Sequence, residues 1–181
     1  MALTKTPVCD FGKKAEDFKL KSIYNKVITL DDIKGEKATL IMFICNHCPY
    51  VKAIIKDLAK DCNDLIKDGI SSVAIMSNDT KNYPEDSFDN MIKFARNNDF
   101  GNMDYLFDET QEIAKKYGAV CTPDFFGYNR NLELQYRGRF RELKDLKPIN
   151  NGDSDLKIAM KMVAQTQKGP DEQIPSMGCN I

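Results

Sequence analysis

The strongest hydrophobic pattern in the chain is a short apolar run followed directly by an amphipathic segment. Residues 39–44 read TLIMFI, a run of the length expected for a buried strand. From Pro49 to Lys67, apolar residues recur at intervals of three and four, which describes one face of a helix. Pro49 suits a first helical turn because it needs no N–H partner, and Gly69 suits the left-handed position that ends a helix. The sequence therefore predicts a strand that leads straight into a helix.

The remaining pattern predicts further strands and helices around this unit. Residues 70–76 form a second apolar run, so strand, helix and strand together predict a parallel βαβ unit. Asp108 followed by Gln111 resembles a capping box for a short helix that ends at Gly118. The other predicted elements are a hairpin of 17–20 with 27–30, a helix around 88–95, a hairpin of 125–128 with 132–137, a helix over 155–167 and an irregular tail over 168–181. Because no repeat or linker interrupts the chain, a single domain over 1–181 is predicted.

Two cysteines lie at the junction between the first predicted strand and its helix. Cys45 and Cys48 are separated by Asn46 and His47, so they form a Cys-x-x-Cys motif. A helix N-terminus stabilises a thiolate, which predicts a lowered pKa for Cys45. Cys48 lies one turn further on, where it can form a disulfide with Cys45. Strand, cysteine pair and amphipathic helix together indicate a redox site.

Other interpretations of this motif involve structure or metal binding. One alternative is that both cysteines are buried structural thiols. This interpretation is disfavoured because a position at a helix N-terminus favours a reactive thiolate. A structural zinc site needs about four ligands, and the remaining cysteines form no second pair, so no metal site is predicted. Cu(I) binding by Cys45, Cys48 and His47 stays open because Cu(I) favours soft thiolates. His47 is the only histidine, and we favour a role in tuning the pKa of Cys45 over that of an ordinary exposed residue.

The remaining cysteines and two arginines are secondary candidates. Cys62 falls on the apolar face of the helix and is interpreted as a core residue. Cys121 lies in a predicted loop, two residues before Pro123, and is an auxiliary candidate near the thiols. Cys179 lies toward the end of the chain, as Cys9 lies toward its start, and Cys179 is kept as a second auxiliary candidate. Arg137 and Arg139 alternate along a predicted strand and are expected on a solvated face, with Arg139 kept as an auxiliary candidate near the thiols.

Composition narrows the classes of partner and compartment. The 26 Lys and Arg nearly balance the 27 Asp and Glu, which gives a net charge of −1 and no indication of nucleic acid or anionic membrane binding. No apolar stretch approaches the ~18 residues of a membrane span, and residues 1–7 lack the apolar core of a signal peptide. Scattered single cysteines are typical of a reduced cytoplasmic protein. A leader removed from this sequence would instead place the protein in the periplasm.

Four motifs resemble those of a known group. They are Phe43–Lys52 (FICNHCPYVK), Val120–Phe126 (VCTPDFF), Tyr136–Arg139 (YRGR) and Pro175–Ile181 (PSMGCNI). Together they resemble the motifs of a group of thioredoxin-like proteins that is classified next to the alkyl hydroperoxide reductase/thiol-specific antioxidant family. The resemblance implies an α/β thioredoxin fold of the redoxin type, with an N-terminal β-hairpin extension and an inserted helix. Its central mixed sheet would be flanked by helices.

The resemblance also implies roles for individual residues. Cys45 would be the attacking thiol, the more exposed of the pair, and Cys48 would resolve the mixed disulfide. Thr122 and Pro123 would form the cis-proline loop that faces Cys45, where the backbone of Thr122 would pair with an extended substrate peptide. Thioredoxins carry a buried Asp six residues before the first cysteine, and Thr39 stands there instead.

The expected function is thiol–disulfide exchange without a cofactor. The substrates would be protein or small-molecule disulfides and dithiols, and an unidentified donor would supply electrons. One alternative is a thiol peroxidase. The peroxiredoxin pattern of a Thr or Ser three residues before the reactive cysteine and a Pro seven before it is missing, since Met42 and Ala38 occupy these positions. The other alternative is a Cu(I)- or partner-binding protein that keeps the fold.

Overall fold

The computed structural model describes residues 2–181. Its strands are β1 (Leu3–Lys5), β2 (Lys19–Ser22), β3 (Val27–Thr29), β4 (Ala38–Phe43), β5 (Ile70–Met76), β6 (Asp104–Phe107), β7 (Cys121–Thr122), β8 (Asp124–Asn129), β9 (Leu134–Tyr136), β10 (Leu143–Lys144), β11 (Lys147–Pro148) and β12 (Met177–Asn180). Its α-helices are α1 (Leu30–Ile33), α2 (Pro49–Leu65), α3 (Phe88–Asn97), α4 (Glu112–Tyr117) and α5 (Asp155–Thr166). Short 3₁₀ turns cover Ile66–Asp68 and Pro84–Asp86.

The central sheet has seven strands in the order β3-β2-β6-β5-β4-β8-β9. The pairs β4–β5 and β5–β6 are parallel, and the other pairs are antiparallel. The β2–β3 hairpin joins the sheet through β6, which confirms the N-terminal extension of a mixed sheet. Leu30 is the one residue of the predicted hairpin that belongs to a helix instead, because Thr29 caps α1 through reciprocal hydrogen bonds with Asp32.

Helices cover both faces of this sheet. Every residue of β4 is buried, and its side chains alternate between two clusters. Leu40 and Met42 pack with α2, α3 and α5, whereas Ile41 and Phe43 pack with α1 and α4. A strand buried on both faces reads as a continuous apolar run, which explains why residues 39–44 carry no polar alternation.

The helix that follows β4 forms as predicted. Cys48 is the N-cap of α2, and Pro49 occupies the first turn. A 3₁₀ turn extends the C-terminal end, and Gly69 ends it with a φ of 74°. Cys62 is buried on the face that packs against the sheet. Within residues 2–181, no helix is both long and apolar enough to cross a bilayer.

The capping box predicted for the short helix α4 is wrong. Gln111 is itself the N-cap, with a φ of 62°, and makes no side-chain cap hydrogen bond. Asp108 lies further back, and its carboxylate accepts the backbone N–H groups of Ile113 and Ala114 at 3.3 and 3.0 Å. The acidic residue therefore does satisfy the start of the helix, from outside the first turn.

The predicted irregular tail is correct only as far as residue 176. Met177–Asn180 form β12, which lies between β1 and β7 in a separate three-stranded sheet. The backbone pairing comes from strands far away in sequence, and the segment Met-Gly-Cys-Asn has no apolar alternation of its own. A Cβ at Gly178 would lie 1.9 Å from the carbonyl oxygen of Thr122, so only glycine permits this approach.

Candidate active site

The register of one strand pair brings the first cysteine to the proline loop. In the antiparallel pair of β4 and β8, Phe43 lies opposite Asp124. Cys45 follows Phe43 by two residues, and Thr122 precedes Asp124 by two, so both leave the same end of the sheet. The Sγ of Cys45 lies 3.3 Å from the Oγ1 of Thr122. The Thr122–Pro123 bond is cis, which confirms that prediction.

The two cysteines of the motif form a buried pair. Cys45 and Cys48 are both free thiols, and their side chains share a hydrogen bond. The Sγ of Cys48 also lies 3.2 Å from the carbonyl oxygen of Thr122. Neither residue has accessible surface, so the prediction that Cys45 is the more exposed of the two is wrong. Neighbouring segments cover the junction between β4 and α2.

The segment after β5 covers one side of the pair. Asp86, in the 3₁₀ turn before α3, is fully buried. Its Oδ1 accepts the backbone N–H groups of Asn46 and His47 at 2.8 and 3.3 Å. The side chain of Asn46 bridges further, because its Nδ2 donates to the Glu85 carbonyl at 3.0 Å and its Oδ1 accepts from the Tyr105 hydroxyl at 2.9 Å. The two residues between the cysteines are therefore held in place by this segment.

His47 lies between an acid and an aromatic ring. Its Nδ1 lies 2.5 Å from the Oδ2 of Asp86, and its ring stacks on Tyr83 with centroids 4.5 Å apart. One sulfur, one imidazole nitrogen and one carboxylate oxygen, from Cys45, His47 and Asp86, lie within 4.8 Å of one another. These atoms could hold a metal ion, but His47 and Asp86 already bind each other, and a carboxylate is a poor ligand for Cu(I). The cluster fits a hydrogen-bond network better than a copper site.

The surroundings place opposite electrostatic effects on the two thiols. The hydrogen bond with Cys48, burial and the negative charge of Asp86 raise the pKa of Cys45. The hydrogen bond from Cys45, followed by the backbone N–H groups of Cys179 and Val51, lowers the pKa of Cys48 from 9.0 to about 4. Burial raises the pKa of Asp86, which hydrogen bonds from Asn46 and His47 partly oppose. In the reduced pair, the negative charge is thus favoured on Cys48, whereas the sequence predicted it on Cys45.

The strand β12 covers the other side of the pair. Cys179 lies opposite Thr122 in the β7–β12 ladder, and its Sγ is 3.2 Å from the Sγ of Cys48. The resemblance implied that the backbone of Thr122 would pair with a substrate peptide. In this structure the chain's own C-terminal strand takes that position. Burial raises the pKa of Cys179 to about 12.

The other cysteines lie outside this contact. Cys121 is buried beside Thr122, and its Sγ lies 3.7 Å from the carbonyl oxygen of Pro123. Burial raises its pKa to about 12, and it raises the pKa of Cys62 to about 12 as well. Cys9 is partly buried near Arg137 and Gln173. Of the auxiliary cysteines, only Cys179 touches a sulfur of the Cys-x-x-Cys pair.

The two arginines have different surroundings. Arg137 is buried and pairs with Asp124 at 3.0 Å, so the expected solvated face is wrong for this residue. Arg139 lines a groove of about 500 Å³ that also contains Pro123 and Tyr50. Its guanidinium is already paired, with Asp155 at 2.6 Å. Arg139 thus borders the proline loop with its charge balanced.

Asp86 is the main residue of the site that the sequence did not single out. The signal that could have found it is topological. Parallel strands end at the same edge of a sheet, and the loops that follow them meet there. Since β4 and β5 were predicted to be parallel, a polar residue in the loop after β5 was a candidate neighbour of Cys45. Nothing in the local pattern distinguishes Asp86 from the other acids of that loop.

Solved structures resemble this one in fold. The thioredoxin domain of a thiol-disulfide oxidoreductase from Bacteroides vulgatus superposes with a TM-score of 0.59 at 15% identity, covering 70% of this chain and 86% of that one. This likeness shows the fold. Together with the family match given next, it defines the class: a thioredoxin-like protein of the redoxin superfamily.

The family is shown directly by the sequence. The model of the AhpC/TSA family matches residues 11–140, and the chain belongs to this family. An uncharacterized conserved protein from Geobacillus kaustophilus is 40% identical, with a TM-score of 0.94 and coverage of 100% of this chain and 96% of that one. A hypothetical protein from Sinorhizobium meliloti 1021 is 37% identical, with a TM-score of 0.90 and coverage of 98% and 97%. No curated protein matches this sequence. Family and fold support a redox function in general.

Proposed function

We propose that this protein is a thiol–disulfide oxidoreductase that acts through Cys45 and Cys48. The observation that carries the proposal is a pair of free thiols at a helix N-terminus with Thr122 of the cis-proline loop against both sulfurs, its Oγ1 3.3 Å from the Sγ of Cys45 and its carbonyl oxygen 3.2 Å from the Sγ of Cys48. This geometry supports exchange because a second thiol stands ready to displace any substrate bound to the first. No cofactor is needed for this chemistry.

The reaction proceeds in two exchanges. The sulfur of Cys45 attacks a substrate disulfide, a bond from Cys45 to substrate forms, and the first substrate thiolate leaves and takes a proton from water. Cys48 then attacks the Sγ of Cys45 and gives its proton to the second substrate sulfur, which leaves as a thiol, and a Cys45–Cys48 disulfide remains. The substrate has gained two electrons and the pair has lost two. A thiol or dithiol donor must then reduce the pair, and with an oxidised pair the same steps run in reverse.

The reduced pair shares one proton, and attack by Cys45 requires this proton to leave its sulfur first, because the thiolate is the nucleophile. The hydrogen bond from Cys45 to Cys48 leaves the charge on Cys48 in the resting state. As Cys45 attacks, its proton can pass to Cys48 along the existing hydrogen bond, so Cys48 acts as the local base. Asp86 would tune this balance through its negative charge beside Cys45, and His47 would hold the Asp86 carboxylate in place through its Nδ1. A shared proton also means that the pair titrates as a unit.

The buried position of the pair supports small disulfides as the substrates reduced most readily. The backbone of Thr122 is already paired with β12, so an extended peptide cannot pair there while this strand is in place. The groove lined by Pro123, Tyr50 and Arg139 lies beside the loop and the helix that carry the site. Six free thiols are consistent with a reducing compartment such as the cytoplasm.

Reduction of glutathione disulfide and of insulin tests the proposal. We expect the wild type to reduce glutathione disulfide faster than insulin. Cys45→Ser should lower both rates to those of the uncatalysed reactions, and Cys48→Ser should accumulate a mixed disulfide on Cys45. Cys62→Ser is the matched control, because it removes a buried cysteine from the same helix outside the site. Equal trapping by the Cys45 and Cys48 variants would contradict the assigned order of attack.

One observation favours a second candidate, reduction of hydroperoxides. The hydroxyl that is missing at position 42 is supplied from another strand, since the Oγ1 of Thr122 lies 3.3 Å from the Sγ of Cys45. A peroxidatic site also needs groups that stabilise charge developing on the peroxide oxygens. The negative charge of Asp86 beside Cys45 opposes this. We therefore expect exchange to be the main activity.

Stopped-flow measurement of peroxide consumption separates the two candidates. The reduced protein should consume hydrogen peroxide about as slowly as an ordinary activated thiol. Thr122→Val, which keeps the shape of the side chain and removes its hydroxyl, is the matched variant. Peroxide turnover orders of magnitude above that of a free thiolate, lost in this variant, would assign the protein to the peroxidases.

A further inference from the structure

A third thiol completes a contact chain of sulfur atoms in the site. Cys48 shares a hydrogen bond with Cys45 on one side, and its Sγ is 3.2 Å from the Sγ of Cys179 on the other. Cys179 is 7% exposed, so it is shielded from solvent with the pair. In sequence it is 131 residues from Cys48. The middle sulfur can therefore exchange with a neighbour on either side.

The position of Cys179 is fixed by the backbone on both sides of its strand. It lies opposite Leu3 of β1 and opposite Thr122 of β7. Gly178 permits the close approach to the Thr122 carbonyl, and the hydroxyl of Ser176 donates to the carbonyl oxygen of Pro123 at 2.7 Å. These contacts attach β12 to the same loop that faces Cys45. The short distance between sulfurs thus follows from the strand register, and not from the rotamer of a free side chain.

We propose that Cys179 is a third redox-active cysteine, which accepts the disulfide from Cys45–Cys48 and forms a Cys48–Cys179 disulfide. The inference rests on the proposed function of the pair. In this step the sulfur of Cys179 attacks the Sγ of Cys48. The Cys48–Cys179 bond forms, the Cys45–Cys48 bond breaks, and Cys45 leaves as a thiolate that takes the proton of Cys179. The number of disulfides and of electrons in the protein is unchanged.

The exchange has a functional consequence for the first cysteine. Once the disulfide has moved to Cys48 and Cys179, Cys45 is again a free thiol. The oxidised protein then holds its disulfide between α2 and β12, with a covalent link across the site. An electron donor would act on this second disulfide, while Cys45 stays reduced.

Peptide mapping of the oxidised protein tests the inference, because trypsin separates the cysteines. Cys45 and Cys48 share the peptide 38–52, Cys179 lies in 169–181, and Cys9, Cys62 and Cys121 lie in three other peptides. The wild type is oxidised with glutathione disulfide, alkylated and digested without reduction. We expect 38–52 linked to 169–181 as the main product. An internal disulfide in 38–52 with a free thiol in 169–181 would overturn the inference.

Variants assign the bond to one sulfur of the shared peptide. Cys45→Ser, oxidised with diamide, which takes two electrons and two protons from a pair of thiols, should still give the linked peptides. Cys48→Ser should lose the link between the two peptides, as should Cys179→Ser, and Cys9→Ser is the control that keeps it. A link that survives in Cys48→Ser would mean that Cys179 pairs with Cys45, which contradicts the proposal. The wild-type map decides the matter even where a variant fails to fold.

Activity separates failure of this inference from failure of the proposed function. If Cys179→Ser reduces glutathione disulfide as the wild type does and the wild-type map shows no link, the third cysteine has no redox role and the exchange function stands. If the wild type does not reduce disulfides at all, the proposed function itself fails.

Discussion

The two sulfur atoms of the pair lie in different surroundings. On the side of Cys45, the segment after β5 contributes a buried carboxylate, Asp86, which opposes negative charge on that thiol. On the side of Cys48, the start of α2 and the strand β12 contribute backbone N–H groups and the thiol of Cys179, which favour it. The segments that cover the pair thus determine which of the two thiols keeps the shared proton. A helix N-terminus alone would change the pKa values of the two thiols by much more similar amounts.

The largest of the expected effects should come from a substitution that forces β12 away from the carbonyl oxygen of Thr122. In Gly178→Ala, the new Cβ would lie 1.9 Å from the Thr122 carbonyl oxygen, so the strand must shift away from β7. We expect a loss of roughly 1–3 kcal/mol in the free energy of unfolding and a loss of the Cys48–Cys179 link. Urea unfolding and the peptide map measure the two effects.

Gly152→Ala is the control for that substitution. Its Cβ would meet only the side-chain oxygen of Asn150, at 3.4 Å. If Gly178→Ala were as stable as this control and kept its disulfide link, β12 would not determine the position of Cys179.

A smaller effect is expected in the pH dependence of stability of the reduced protein. Because the pKa of Cys48 is lowered to about 4 from 9.0, this thiol holds fewer protons in the folded than in the unfolded state between these values. Stability should therefore rise with pH in that window, by at most about 1.4 kcal/mol per pH unit from this group. Above pH 9 the raised pKa of Cys45 reverses the sign, because the folded state then keeps a proton that the unfolded state has lost.

Urea unfolding at pH 5 and pH 8 under reducing conditions measures this dependence. The difference between the wild type and Cys48→Ser isolates the contribution of the pair from that of the other titrating groups. A difference that is the same at both pH values, or smaller at pH 8, would contradict the assignment of the charge to Cys48.

The smallest expected effect concerns the other side of the pair. Asp86→Asn removes the charge beside Cys45 and keeps the size of the side chain. The pKa of Cys45 should fall, and the rate at which the pair is alkylated by iodoacetamide should reach its midpoint at a pH lower by roughly one unit or less. Glu85→Gln makes the same change of charge at the adjacent, exposed residue, and should leave the profile unchanged. An upward shift in Asp86→Asn would show that Asp86 acts on the pair mainly through His47.

The sequence was informative where structure depends on neighbouring residues. The apolar run of β4, the face of α2, Pro49 in the first turn and Gly69 at its end are all local signals, and each of these features is present. The cis bond before Pro123 was predicted from a resemblance, not from any pattern. Local signals thus located the two thiols and the junction that holds them.

The sequence did not predict which distant residues meet at the site, although it kept Cys179 as an auxiliary candidate. Cys179 contacts Cys48 across 131 residues, and the strand that carries it has a sequence without strand periodicity. Asp86 reaches the pair because the parallel strands β4 and β5 end at one edge of the sheet. This topology predicts that the loops after the two strands lie together, but it does not predict which residue makes the contact. The exposure of Cys45 was predicted wrongly for the same reason, since the segments that cover it come from elsewhere in the chain.

The register of β4 against β8 also limits which insertions and deletions the family's sequences can tolerate here. Cys45 and Thr122 are equally spaced from the paired residues Phe43 and Asp124. Adding or removing one residue in either strand would turn the side chains beyond that point to the opposite face, and would separate the sulfur from the hydroxyl. Length variation should therefore accumulate in segments such as the exposed turn between β10 and β11, while the spacing from β4 to Cys45 and from Thr122 to β8 stays constant.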